Sequence, residues 1–163
     1  MGTGLKKVFD LNSGKYAGPG VTAKFMSLEE LIALFEKAGL FGGSFGQAEM
    51  SIPFNLSMMT NKNELLNDKH INMGFVEFIE VLGRICDKFD LDWFKDMLLQ
   101  RNIEVPDYKA KQKSELDRKV ESMVLILMQS ELKGKAFKSA FDNYIKLLTI
   151  ELENPGTFKI KRK

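Results

Sequence analysis

Few residues of this chain could act as a nucleophile and a base, since its 163 residues include one cysteine, Cys86, and one histidine, His70. A cysteine nucleophile needs a base beside it, but Cys86 falls on the apolar face of a predicted helix. The sequence has no phosphate-binding glycine loop, no dinucleotide fingerprint and no second set of metal ligands. We therefore predict that the protein is not an enzyme and uses no cofactor.

Two carboxylates, Asp68 and Glu77, have the spacing of positions 3 and 12 in a calcium-binding loop that starts at Leu66. Calcium binds roughly six to eight oxygens, and this segment supplies too few of them. The leucine at the first position has no side-chain oxygen, and Ile71 stands where such a loop needs glycine for a sharp turn. We predict a vestigial loop that binds no metal, in which Asp68 and Glu77 are the remaining ligand positions.

The composition is that of an ordinary globular protein, with 44% hydrophobic residues, 28% charged residues and a net charge of +2. So small a charge does not favour nucleic-acid binding. The first twenty residues lack the long apolar run of a secretory signal. No stretch is apolar for long enough to cross a bilayer. We expect a cytoplasmic or cytoskeletal protein with neither a membrane span nor a nucleic-acid partner.

The N-terminal 25 residues contain five glycines and one proline, which predicts an extended Gly-rich arm over 1–25. The first helix is predicted to start at Ser27, which has the spacing of a capping box with Glu30. It should end at Gly39, because glycine readily takes the left-handed conformation that follows a helix.

A helical lobe is predicted over 26–100. Its second helix should start near Ser44 and bury a stripe that includes Ile52 and Leu56, with an interruption at Pro53. Its third helix has apolar residues at intervals of three and four over 73–89. These residues are Phe75, Phe78, Ile79, Leu82, Ile85, Cys86 and Phe89. A shorter helix over 91–100 follows.

The C-terminal part is predicted as a linker over 101–113, a helical hairpin over 114–153 and a basic tail over 154–163. Gly134 separates the two helices of the hairpin, which should pack as a long antiparallel αα-hairpin. The first of these helices is apolar all round near its middle, so we expect it to be buried on more than one side.

Three segments, FMSLEELIALFEKAGLF, FNLSMMT and NMGFVEFIEVLGRICDKF, together resemble a divergent EF-hand module. Such modules occur in large ciliary, axonemal and cytoskeletal proteins of protists, and the resemblance covers about residues 8–89. It implies an all-α fold with a degenerate paired EF-hand-like lobe, whose first hand would span 27–59. Glu77 and Phe78 match the Glu-Phe motif at the end of an ion loop. The rest of the loop departs from the motif, so calcium sensing does not carry over.

The chain contains 13 phenylalanines and 9 methionines, which favours a surface that binds other proteins. We expect a non-catalytic structural or adaptor subunit that holds a helix or extended segment of a partner in an apolar groove. The resemblance implies a ciliary or axonemal, microtubule-based assembly. The candidate partner-binding residues are Phe54, Met58, Met59, Phe75, Leu82 and Trp93.

Two alternatives stay open from the sequence. One is a calcium-responsive EF-hand sensor or regulatory subunit. The other is an accessory subunit of a different large complex, which would bind an acidic partner through the basic tail over 154–163.

Overall fold

Seven α-helices form the computed structural model, which describes residues 2–15, 25–42, 45–58, 72–104 and 114–153. The helices are α1 (Gly2–Asn12), α2 (Leu28–Lys37), α3 (Ser51–Ser57), α4 (Phe75–Cys86), α5 (Leu91–Gln100), α6 (Glu115–Glu131) and α7 (Lys135–Glu153). A 3-10 turn over Ala48–Met50 leads into α3. Within these described ranges, the extended pairings are two isolated bridges rather than strands. The predicted all-α fold is confirmed.

The core is built around α6. Seven consecutive residues of this helix, 122–128, are buried, and α1, α2, α4, α5 and α7 all pack against it. A helix that is apolar on every side has to be covered on every side. The prediction that this helix is buried on more than one side is confirmed.

The prediction of an extended arm is wrong for residues 2–12, which form α1. The buried residues of α1 have helical spacing: Leu5, Val8 and Phe9. Gly4 permits close packing against α6, because a Cβ at this position would lie 2.8 Å from the sulfur of Met128. At least one of the glycines that suggested an arm therefore serves helix packing instead.

Helix α2 begins and ends as predicted. The Ser27 hydroxyl accepts a hydrogen bond from the Glu30 N–H at 3.2 Å, and the Glu30 carboxylate accepts one from the Ser27 N–H at 2.9 Å. At the other end Gly39 has a φ of +61°, and the Leu40 N–H donates to the Phe35 carbonyl at 2.9 Å. These are a capping box and a Schellman closure.

Helix α3 is shorter than predicted and turns a different face inward. It begins at Ser51, so Pro53 lies in the first turn, where its missing N–H costs no intrahelical hydrogen bond. Phe54 is buried, whereas Ile52 and Leu56 are 62% and 61% exposed. The prediction that Ile52 and Leu56 are buried is therefore wrong, because the 3-10 turn and the later helix start set a different phase.

Several predicted segments lie outside the described residues: part of the arm (16–24), the first half of the vestigial loop (66–71), most of the linker (105–113) and the basic tail (154–163). Residues 101–104 of the predicted linker are described, and they end α5. Asn102 there has a left-handed backbone conformation with a φ of +52°. Gly134 has a φ of +56° and lies directly before α7, so the predicted boundary between the last two helices is confirmed.

Replacing Phe9 by alanine tests whether α1 is an integral part of the fold. Phe9 is 1% exposed, and its ring centroid lies 5.6 and 5.4 Å from those of Phe75 and Phe78. We expect Phe9→Ala to lower the free energy of unfolding by about 3–5 kcal/mol, because it leaves a cavity in the core. The matched control is Leu11→Ala on the same helix, where the leucine is 56% exposed. It should change this free energy by less than about 0.5 kcal/mol. Denaturant unfolding measures both values, and two equally small changes would contradict the packing of α1.

Candidate functional site

Two segments that precede helices meet in one short antiparallel pair. The backbones of Met26 and Met73 exchange two hydrogen bonds of 2.9 Å each, and both side chains are buried. Helix α2 begins two residues after Met26, and α4 begins two residues after Met73. The two helices therefore start at equivalent points on either side of the pair.

A glutamate four residues after each paired methionine closes the first turn of its helix. Glu30 accepts hydrogen bonds from the backbone N–H groups of Ser27, at 2.9 Å, and of Lys15. Glu77 accepts one from the N–H of Gly74 at 2.7 Å. Both glutamates are buried. The carboxylate at position 12 of the vestigial loop is thus held by a backbone donor at the start of α4.

The bridge between Met26 and Met73 puts α2 and α4 in corresponding positions. The sequence instead predicts a first hand over 27–59, which would combine α2 with α3. The bridge joins the segment between α1 and α2 to the segment between α3 and α4. Asp68, the other predicted ligand position, lies outside the described residues. Over the ranges that the structure describes, no three acidic, histidine or cysteine side chains form a group that could hold a metal ion.

Cys86 lies between α4 and α6, with its sulfur 3.6 Å from that of Met123. Burial raises the pKa of the thiol to about 12, against a smaller opposing effect of the nearby Lys119 charge. Lys119 itself is hydrogen-bonded to Glu115 at 2.7 Å, and this bond raises the pKa of Lys119. A protonated thiol beside a protonated amine is not an activated nucleophile with a base.

An apolar groove with a volume of about 320 Å³ opens between α3, α4 and the start of α6. Three large aliphatic side chains on its walls are exposed: Ile52, Leu56 and Leu116, with Leu116 at 44%. Single exposed leucines are common in soluble proteins, but several gathered around one groove indicate an interaction surface. The groove, which we call the α3–α4 groove, is lined by Ile52, Pro53, Leu56, Gly83, Arg84, Asp87, Lys88 and Leu116.

Gly83 leaves the backbone of α4 bare in this groove. Glycine inside a helix costs roughly 1 kcal/mol relative to alanine. A Cβ at position 83 would meet no atom within 4 Å, so no contact in the described part of the chain requires glycine there. Gly74 differs, because a Cβ there would lie 2.6 Å from the Glu77 carboxylate.

Charged side chains of both signs border the α3–α4 groove. Arg84 pairs with Glu80 one helical turn earlier, at 2.5 Å, and about half of each side chain is exposed. Asp87 and Lys88 are also exposed. An occupant of the groove would therefore meet basic and acidic groups close together.

Two of the predicted partner-binding residues belong to the core. Phe54 and Leu82 are 3% and 1% exposed, so neither can line an open groove in this arrangement. The groove is instead walled by Ile52 and Leu56, which the sequence pattern assigns to the core. The signal that could have corrected this is Pro53, since proline is favoured in the first turn of a helix.

Three other predicted partner-binding residues, Met58, Phe75 and Trp93, are half-buried and pack against the core. Trp93 stacks on Phe89 with a distance of 4.3 Å between ring centroids. Met59 lies outside the described residues. The structure therefore does not bring the six predicted residues together at one surface.

Comparison of the sequence with models of protein families gave no match, and comparisons with curated proteins and with solved structures gave none either. None of the helices within the described ranges combines the length and apolar character that a membrane crossing requires.

Cys86 should not react with a thiol reagent while the protein is folded. Its burial and its pKa of about 12 keep it protonated and inaccessible. We expect an aromatic disulfide reagent near pH 8 to modify it only after denaturant is added, and then at one equivalent per chain. Cys86→Ala gives the blank for both samples. Rapid stoichiometric modification of the native protein would contradict the buried position.

Proposed function

We propose that this protein is a non-catalytic structural subunit, and that its α3–α4 groove docks an α-helix of another subunit in the same assembly. The observation that carries this proposal is the exposure of Ile52, Leu56 and Leu116 around one groove. Burying their apolar surface against a partner would contribute about 25 cal/mol per Å².

The occupant that fits the groove is an amphipathic helix. A volume of about 320 Å³ takes a few aliphatic side chains, and a helix presents such side chains at intervals of three and four residues. Gly83 lets a helix approach the backbone of α4 closely. Arg84 and Lys88 at the border favour a helix with a carboxylate beside its apolar face.

The proposed frame for this groove is a degenerate pair of EF-hand-like units, α1–α2 and α3–α4, followed by a helical hairpin of α6 and α7. The repetition of two features supports the pair. Met26 pairs with Met73, and a glutamate that accepts backbone hydrogen bonds follows each of them by four residues. This assignment replaces the first hand predicted over 27–59.

The proposed setting is a microtubule-based assembly, a cilium or flagellum axoneme. Its support is the resemblance of three sequence segments to protist cytoskeletal modules. The chain has enough apolar side chains to bury α6 and also to line an exposed groove. This agrees with a subunit that contacts neighbouring subunits.

Crosslinking from inside the groove tests the docking proposal in native cells. A photo-reactive amino acid at Leu56 should form crosslinks to a helical segment of a second subunit, because this side chain would be buried by the docked helix. The same amino acid at Leu99, which is 73% exposed on α5, is the matched control and should form no such crosslink. Mass spectrometry of the linked peptides identifies the segment. Equal yields from both positions, or none from Leu56, would refute docking in this groove.

A calcium-responsive sensor is the second candidate, favoured by the buried carboxylates of Glu30 and Glu77 at equivalent helix starts. Against it, each carboxylate already accepts backbone hydrogen bonds, and the first position of the loop is Leu66, which offers no side-chain oxygen.

Titration calorimetry with Ca²⁺ separates the two candidates. We expect no heat of binding and no change in helicity up to millimolar ion, because the loop lacks enough oxygen ligands. Glu77→Gln, which keeps the shape but removes the charge, should give the same flat titration. Binding that is present in the natural chain and absent in Glu77→Gln would favour the sensor.

A further inference from the structure

We infer that the helix docked in the α3–α4 groove is α4 of a second copy of this chain, so that the protein associates as a two-fold dimer. This inference rests on the proposed function, since it names the subunit that the groove binds.

Helix α4 has the chemistry that the groove requires of its occupant. Val76 and Ile79, in its N-terminal half, are 68% and 46% exposed. They lie on the same face of the helix as Gly83. Ile79 follows Val76 by three residues, and Gly83 follows Ile79 by four, which are the spacings of neighbours on one helix face. Glu80 places a carboxylate beside this apolar face. An aliphatic face with an adjacent acidic group complements the apolar groove and the two basic residues of its mixed border, Arg84 and Lys88.

A two-fold axis through Gly83 makes this helix self-complementary. The rotation lays the N-terminal half of one α4 over the C-terminal half of the other. At roughly 1.5 Å of rise per residue, Ile79 and Val76 lie about 6 and 10 Å from the axis. The groove of the second copy lies beside residues 83–88, which extend about 8 Å from the axis, so it reaches Ile79 and approaches Val76. Each copy supplies both the aliphatic side chains and the groove that receives them.

Gly83 lies where the two helices would cross. Packed helices are ordinarily about 8–10 Å apart, with the distance set by the side chains at the contact. Glycine allows a closer approach, and the interior of the chain gives no reason for it, since a Cβ at this position would meet nothing within 4 Å. A second helix that crosses at Gly83 would explain why this position is glycine.

The charges around Gly83 can be matched by the same symmetry. Glu80 precedes it by three residues, and Arg84, Asp87 and Lys88 follow it by one, four and five, so two basic side chains outnumber one acidic side chain on that side. The rotation therefore turns Glu80 of each copy toward the two basic residues of the other. In the single chain Arg84 pairs with Glu80 at 2.5 Å. In the dimer each of these side chains would pair with the opposite charge of the other copy, so neither would lose an ion-pair partner.

A second copy accounts for two features together, the open groove and the uncovered Val76 and Ile79. A helix from a different protein would fill the groove but would leave these side chains without a complementary surface. The mixed signs at the border also suit a copy of the same surface better than a strongly acidic partner.

Sedimentation equilibrium on the full chain, from micromolar to near-millimolar concentration, tests the inference. We expect a reversible monomer–dimer equilibrium in the natural chain. Leu56→Glu should weaken dimerisation at least about tenfold, or 1.4 kcal/mol, because it puts a charge into the apolar contact. Leu99→Glu, at a leucine outside the groove that is 73% exposed against 61% for Leu56, should leave the equilibrium unchanged.

Gly83→Ala should raise the stability of the monomer and weaken dimerisation. Measured at a dilution where the natural chain is monomeric, its melting temperature should rise by a few degrees, since alanine favours helix and its Cβ has free space. Its dimerisation should nevertheless weaken, because the Cβ separates the two backbones. A purely structural role for this glycine would not produce the second effect.

A charge-exchange experiment tests the direction of the crossing. Glu80→Lys and the double variant Arg84→Glu with Lys88→Glu should each dimerise more weakly than the natural chain. An equimolar mixture of the two should recover association, because the lysine introduced at position 80 of one copy then faces the acidic residues introduced in the other. Failure of the mixture to recover would overturn the antiparallel arrangement.

A natural chain that stays monomeric at every concentration would overturn the inference, as would equal effects of Leu56→Glu and Leu99→Glu. The proposed function fails separately. If the chain is monomeric but Leu56 crosslinks to a different subunit, the groove docks a foreign helix and the proposed function stands.

Discussion

The burial of α6 is the constraint on which the rest of the structure depends. Its residues 122–128 are buried without interruption, so this part of the helix has no face exposed to water. Covering such a helix takes neighbours on every side, which here are α1, α2, α4, α5 and α7. The apparent arm at the N-terminus is folded for this reason. The Leu5, Val8 and Phe9 face of α1 contributes to the cover, and Gly4 brings that helix close enough to do so.

The ends of the surrounding helices are fixed to one another by polar contacts. Arg101, just after α5, donates to the carbonyl of Ala38 at the end of α2, and Gln129 of α6 donates to the carbonyl of Arg101 at 2.9 Å. Lys37 of α2 pairs with Glu131 of α6 at 2.9 Å. Carbonyl groups at helix ends have no partner within the helix, so these contacts satisfy them and also hold the helices in register around the core.

The α3–α4 groove is one place where this arrangement leaves apolar surface uncovered. Several glycines and buried polar groups elsewhere have a visible reason, such as Gly4 against α6 or Glu77 on the first turn of α4. In the groove, Gly83 and the exposed Ile52 and Leu56 have none within the described part of the chain. Natural sequences are locally consistent with their folds, and departures concentrate at functional sites. These departures are the basis on which we propose that the residues contact another molecule.

The sequence by itself determined the helical class, the buried character of α6 and several helix ends. These features are readable because a cap or a left-handed closure depends on residues within one turn, as at Ser27, Glu30, Gly39 and Gly134. Only the tertiary structure decided which face of α1 and α3 points inward, and with it where the groove lies. Short helices with apolar residues on two faces have more than one way to bury them. The choice belongs to the neighbours, which for α3 bury Phe54 and leave Ile52 and Leu56 outside.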